Sequence, residues 1–429
     1  MFDKLFQNKF KKDLLFSYAS QGIVILAGFA QLFLINRYFG LEVFGEFSII
    51  VATIGIFASV VTARSSEAVT RFLKREELNS NFSNAKLTVF IGVIVDFFTA
   101  LLLLLLAYFS ATSFAELFLK DSKLGSELFL YAFVVFFGFL KGTAIGFFQA
   151  KERFSVINSF NALSAILNVI FIVLGIIFYD NTLKILIVSL VVSSILSWGI
   201  MFLFFLLNVR REYQKYDILY NRSLINEYWN FNLKTFLSSS LKAGNQNVEN
   251  LILGYFVNAE SVGIYQTIKK IISPIAILVQ PLSMLFYPKM IICFELHKAN
   301  EMKRLIFKAT RYIAILVIVF GAIIAFNIEF IFELMKLSFN PNYSIYLYIV
   351  LSTSLITSLL WWVRIFSNTV NPTYSLYLNL MATIYQVIIT SFFAYLYGLY
   401  GVMFSLLTLQ LILACFWLYL GKCYVNKNV

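Results

Sequence analysis

Charged and hydrogen-bonding side chains that interrupt apolar segments mark where this chain can do chemistry. The stretch SSSLKAGNQNVENL (238–251) places Lys242, Asn245, Gln246 and Glu249 in a run otherwise fit to cross a bilayer. With Thr235, Ser238 and Ser239 they recur every three or four residues and so share one helical face. On a lipid-facing surface each Lys or Glu would cost about 2.5–3.5 kcal/mol, so that face must look into the protein. Other apolar segments hold further ionisable groups. Counting about 1.5 Å per residue from the segment ends, Asp96 and Lys141 fall near mid-membrane and Lys269 and Lys270 in the outer half. Arg64, Glu67 and Arg364 fall toward the inner side, and the first segment carries a milder stripe of Ser17, Gln21, Gly28 and Gln31. Cations outnumber carboxylates in this set, and a surplus of buried cations calls for an anion. Two structural pairings compete with that reading: Asp96 with Lys141 on adjacent segments, and Glu249 with Lys242 two turns away. Lys269 and Lys270 point about 100° apart on a helix, so both cannot aim at one cavity.

The elements that hold these groups follow from composition. The 429 residues are 60% hydrophobic, 18% aromatic and 13% charged, more apolar surface than a water-soluble core can hide. Windows long enough to cross a bilayer recur at 14–36, 44–63, 86–109, 129–149, 157–178, 183–207, 232–257, 262–288, 309–334, 343–366, 373–397 and 400–421. The first is too long, and lacks the small-residue end, for a cleaved signal peptide. Of the Lys and Arg assigned to the connections and ends, 24 fall on one side and 5 on the other, with both termini on the rich side. The net charge of +12 is therefore mostly topology and attraction to anionic lipid, and nucleic acid is excluded as a partner. Cys293, Cys415 and Cys423 lack metal-ligand spacing, the lone histidine His297 lies in a basic loop, and no nucleophile–base pair or phosphate-binding glycine loop stands out. An enzyme is not expected, which argues against a multipass polymerase or ligase.

The chain also echoes itself. NRYFGLEVFGEFSII (36–50) is matched by LGYFVNAESVGIYQTI (253–268), and a shift of 218 sets FFQAKERFSVINSFNALSAILN (147–168) on IFSNTVNPTYSLYLNLMATIYQ (365–386). Two six-helix halves that enter the bilayer in the same direction follow, an arrangement that leaves a central cavity. The expected fold is an all-α polytopic membrane protein of 12 transmembrane helices in two parallel six-helix repeats. Its lobes would cover 1–222 and 223–429, with a cytoplasmic linker over 208–231.

The turn RYFG…FGEFS, its echo GYF…VGIYQ and above all GFFQAKERF resemble the polysaccharide-exporter branch of the multidrug/oligosaccharidyl-lipid/polysaccharide superfamily. Within it the chain is most similar to O-antigen flippases of the Wzx type. That resemblance implies a bacterial inner-membrane transporter with cytoplasmic termini that carries a polyprenyl diphosphate bearing a sugar chain. Lys242, Lys141 and one of Lys269 and Lys270 would hold the diphosphate. Arg64, Arg364, Gln246, Asn245, Ser239, Gln21 and Gln31 would complete the substrate path, amides and hydroxyls meeting the sugar. Asp96, Glu249 and Glu67 are the candidates for coupling to a proton or sodium gradient or the membrane potential, with no cofactor or metal. Pro274, Pro281 and Pro288, seven residues apart, would bend or hinge one helix along a common face. A monomer working beside a polysaccharide polymerase and chain-length regulator is expected. The rival within the superfamily is a drug or cation antiporter, whose cavity would favour acidic side chains.

Overall fold

The computed structural model describes residues 2–63, 65–245, 247–275, 298–335, 340–363 and 380–427, with side chains outside 2–18, 234–245, 299 and 420–427. The described residues are helices and turns with no strand among them, arranged as an all-α membrane protein. Eight helical runs among them are long and apolar enough to cross a membrane.

The contacts divide the chain into two compact units, 1–39 with 49–247 and 40–48 with 248–429. The first unit is built from α1 (Phe2–Tyr38), the body of α2 (Gly40–Val61), α3 (Ser65–Leu78) and α4 (Phe82–Leu119), then α5 (Gly125–Phe139) and α6 (Gly142–Ala150). It continues with α7 (Phe154–Phe178), α8 (Leu183–Tyr213) and α9 (Arg222–Asn245). α1 packs on α7, α7 on α8, α5 on both α4 and α8, and α3 on α4 and α6. Side-chain caps start several of these helices. Asn81 accepts from the Asn84 N–H at the head of α4, and Thr182 accepts from Ile185 at the head of α8.

Two features depart from the sequence expectation. Arg71, Lys74 and Arg75, expected in an inner connection, lie on the amphipathic helix α3. Ala68, Val69, Phe72 and Leu73 at i, i+1, i+4 and i+5 bury its apolar face, which the surrounding charges conceal from a hydropathy window. The stretch 110–128, expected as a connection between two apolar windows, is also largely helical, because α4 runs on to Leu119 before Lys120 turns left-handed at φ 59°.

The second unit contains the start of α2, α10 (Val248–Phe256), α11 (259–275), α12 (Ala299–Phe326), α13 (Ile328–Leu334) and α14 (Pro341–Leu359). The run 380–390, π-helical over Gln386–Thr390, leads into α15 (Ser391–Lys427). α15 breaks at Gly398, whose φ of 57° and ψ of −135° only glycine adopts readily. That break falls where the sequence divides its last two apolar windows.

The internal echo has a physical counterpart inside this unit. A Cβ on Gly45 would lie 1.7 Å from the Ala259 carbonyl oxygen, and a Cβ on Gly263 would lie 2.1 Å from the Leu41 carbonyl oxygen. Gly45 and Gly263 are 218 residues apart, as are Leu41 and Ala259. Each glycine thus admits the backbone of the other's helix, and each blocking carbonyl lies four residues before the partner glycine. The two halves of the repeat meet here through equivalent positions, at a separation only hydrogen side chains permit.

Candidate functional site

Lys141 lies where the fourth apolar segment breaks, at the joint between α5 and α6. Its ammonium stands 3.9 Å from the centre of the Trp198 ring on α8. A desolvated cation over an indole face gains up to about 2 kcal/mol, enough to place the side chain yet without cancelling its charge. Among the described residues Lys141 has no carboxylate partner.

Asp96 does not pair with Lys141, which corrects the first of the two pairings expected from sequence. Its carboxylate accepts the Thr143 backbone N–H at 2.6 Å, so it serves as the cap for the start of α6. Breaking a helix inside the membrane exposes N–H groups that no water can satisfy, and a carboxylate from the neighbouring helix is the strong acceptor they need. Gly142 makes the approach feasible: a Cβ there would meet the two Asp96 oxygens at 2.9 and 3.1 Å. The fourth segment therefore presents a lysine at a joint whose geometry Asp96 maintains.

The second expected pairing involves Lys242, whose side chain lies outside the described residues, and Glu249 has partners of its own. Glu249 on α10 accepts from Lys269 of α11 at 2.7 Å and from the Tyr265 hydroxyl. Lys269 and Lys270 diverge as their spacing requires. Lys270 turns to the Phe44 ring, 5.1 Å from its centre, and has no carboxylate partner among the described residues.

The remaining sequence candidates are dispersed. Gln21 is exposed and Gln31 half-buried on α1, whose Ser20 donates to the Asn158 carbonyl on α7. Glu67 is exposed in the first turn of α3, where a helix N-terminus favours an acid. Pro274 is half-buried near the end of α11. Lys242, Asn245 and Ser239 ride on α9, but their side chains lie outside the described residues, as do Gln246, Arg64, Arg364, Pro281 and Pro288 altogether.

GFFQAKERF forms a clasp between helices. A Cβ on Gly146 would lie 2.7 Å from the Ser66 carbonyl, so α6 and α3 touch backbone to backbone, while Phe147 and Phe148 are fully buried. Thr70 donates to Gln149 at 3.1 Å, and Lys74 pairs with Glu152 at 3.1 Å. Lys151 bridges Glu77, at 2.5 Å, and Glu212, which Arg153 also reaches at 3.3 Å. From α3, Arg75 reaches on to Glu227 of α9 at 2.6 Å and holds that carboxyl below the ordinary carboxylate range by this hydrogen bond. The motif thus ties four elements of the first unit together and contributes no reacting group.

Sequence reasoning located Lys141 and Asp96 but missed Trp198, Thr143 and Gly142. A tryptophan amid SSILSWG, opposite a lysine in a neighbouring segment, is the one available signal for the first.

A family model described as polysaccharide biosynthesis protein matches residues 10–294. No curated protein matches the chain in sequence. Among solved structures, an inward-facing multidrug resistance MATE family transporter of the MOP superfamily superposes with a TM-score of 0.72 at 12% identity, covering 96% of this chain and 98% of that one. Lipid II flippase MurJ in an inward closed conformation gives 0.64 at 17% identity, covering 97% and 90%. The MATE multidrug transporter DinF-BH gives 0.59 at 16% identity, covering 94% and 93%. The likeness at these identities is one of fold.

Proposed function

Because the chain belongs to the polysaccharide biosynthesis protein family, a group of membrane transporters in fold, we propose that it flips a polyprenyl-diphosphate-linked oligosaccharide from the cytoplasmic to the outer leaflet. The cargo would be an O-antigen or related surface-polysaccharide repeat unit, moved by alternating access across a bacterial inner membrane. The observation that carries this reading is the Lys141 ammonium, held over Trp198 at a break in a spanning segment and paired with no carboxylate among the described residues. An aromatic face positions the cation and leaves its charge for an incoming anion. A diphosphate meets such a charge with short, charge-assisted hydrogen bonds. Lys270, set against Phe44, repeats the arrangement in the second unit. Lys269 is already matched by Glu249, so Lys242, Lys141 and Lys270 remain the cations assigned to the phosphates, with the amides and hydroxyls of α9 assigned to sugar. A drug-cation antiporter is the weaker reading, because the uncompensated carboxylate Asp96 is only 4% exposed and caps a helix, too enclosed for an organic cation.

Deletion of the gene tests the class of cargo. Lipid-linked oligosaccharide should accumulate, and supplying the chain in trans should clear it. An unchanged lipid-linked pool, with altered drug sensitivity instead, would favour the antiporter.

A further inference from the structure

The turn Gln386–Thr390 is π-helical inside a membrane-length run, Leu380–Tyr419. A π turn closes its backbone bonds over five residues where an α-helix uses four, and so accommodates one extra residue. Two side chains show what that costs here. Gln386 is 8% exposed and Thr390 fully buried, yet Gln386 Oε1 and Thr390 Oγ1 have no hydrogen-bond partner among the described residues. No other buried side chain of the second unit is left so among them. Where water cannot reach, such groups are strongly penalised.

Other threonines show what Thr390 lacks. Thr53, Thr70, Thr88, Thr99, Thr353 and Thr357, all in α-helices, each donate to the carbonyl four residues back. For Thr390 that carbonyl belongs to Gln386, at the other end of the wider turn, and no bond forms. The internal echo supplies a second contrast. A shift of 218 sets Gln386 on Asn168 of α7, whose Oδ1 accepts from Ser193 of α8 at 2.6 Å. The same shift sets Leu411 on Ser193, so the second half has a leucine where that donor stands.

The flanks confine any change to one segment. Before the turn, the Tyr385 and Thr408 hydroxyls share a hydrogen bond of 2.7 Å. After it, residues 391–397 run only as far as the break at Gly398. Loss of the extra residue from the turn would rotate that segment by about 100° and shift it by about 1.5 Å. Tyr395 on the segment stands 6.4 Å from the Phe256 ring of α10, the helix that bears Glu249.

We propose that Gln386–Thr390 is a two-state element. In the observed state the turn is π; in the other it is α, Thr390 donates to the Gln386 carbonyl, and residues 391–397 rotate against α10. Its use as a moving part of transport rests on the proposed function, whereas the exchange itself does not.

The test uses the purified full-length protein with Cys293, Cys415 and Cys423 replaced by serine and nitroxides attached through Met381→Cys and Leu396→Cys, two exposed positions that bracket the turn. Double electron–electron resonance should resolve two separations. Thr390→Val cannot form the bond of the α state, so it should collapse them onto one, and it should raise the melting temperature by a few degrees by removing an orphaned hydroxyl. Deleting Ile388 takes out the extra residue and should leave only the other separation. One separation in the parent protein, two that keep their ratio in Thr390→Val, or a lowered melting temperature in Thr390→Val would overturn the proposal, whether or not the deletion variant folds. Export by Thr390→Val should slow several-fold despite its greater stability, and unchanged export would remove the element from transport. No cargo enters the distance measurement, so its failure leaves the transport reading standing, and loss of the transport reading leaves the exchange standing.

Discussion

Placing a methyl group at the glycine crossing should separate the two helices measurably. Gly45 packs so closely on α11 that an added Cβ would sit 1.7 Å from the Ala259 carbonyl oxygen, where ordinary contact begins at 3.4 Å. The obstacle is backbone, so no side-chain rotation relieves it, and the helices must part by the 1.7 Å difference. Overpacking of this kind costs about 1–3 kcal/mol, and loss of the surrounding close contacts adds to it. Gly28 on α1 is the internal control, because an added Cβ there meets nothing within 4 Å. At an unobstructed helical position glycine to alanine gains about 1 kcal/mol of helix propensity. The two substitutions are chemically identical, so their effects should have opposite signs: Gly45→Ala lowers the melting temperature of the purified protein and Gly28→Ala holds or raises it. Gly263→Ala should resemble Gly45→Ala. The double substitution should cost less than the sum, because helices already parted by one methyl accommodate the second. Equal effects of Gly45→Ala and Gly28→Ala, or full additivity of Gly45→Ala with Gly263→Ala, would refute the crossing.

Other expectations follow from the paired charges. Glu249→Gln leaves the Lys269 ammonium without its counter-charge and should lower stability, while adding Lys269→Met should restore part of the loss, a pattern read by a double-mutant cycle of melting temperatures. Lys141→Met should abolish export at normal protein abundance, and Trp198→Leu should reduce it by releasing the lysine from its perch, as scored by surface polysaccharide. Arg75 holds the Glu227 carboxyl below its unfolded value, so that pairing stabilises the protein above the unfolded pKa and is lost as pH falls through the folded one. The advantage of the wild type over Glu227→Gln should therefore be present at neutral pH and vanish in acid, as melts across pH would record.

The architecture was legible because hydropathy and charge asymmetry act over whole segments. Apolar windows reflect how a bilayer sorts residues, and the all-α fold, with eight membrane-length runs among the described residues and a likeness in fold to MATE and MurJ structures, is consistent with them. The break at Gly398 could be located because it parts two apolar runs. α3 was not visible as a helix, since its buried stripe is short and its polar face supplied the charges read as a loop.

Candidate residues could be picked out by type, and their partnerships could not. A lysine and an aspartate at similar depth suggest an ion pair, but whether they meet depends on helix rotation and on the break at Leu140 and Lys141. At that break the Thr143 N–H donates to the Asp96 carboxylate. Glu249 shares a helical face with Lys242 in the sequence, but its cross-helix contact with Lys269 and Tyr265 has no signal there. Such pairings are set by tertiary packing, about which periodicity along one helix is silent.

The most direct test of the account is the leaflet in which lipid-linked oligosaccharide resides in cells whose only copy of the chain carries Lys141→Met, measured by enzymatic access to the sugar from outside. With the variant inserted at wild-type abundance, the account predicts intermediates confined to the cytoplasmic face, and Lys141→Arg restoring part of the external signal. External access equal to that of the wild type in Lys141→Met cells would contradict it.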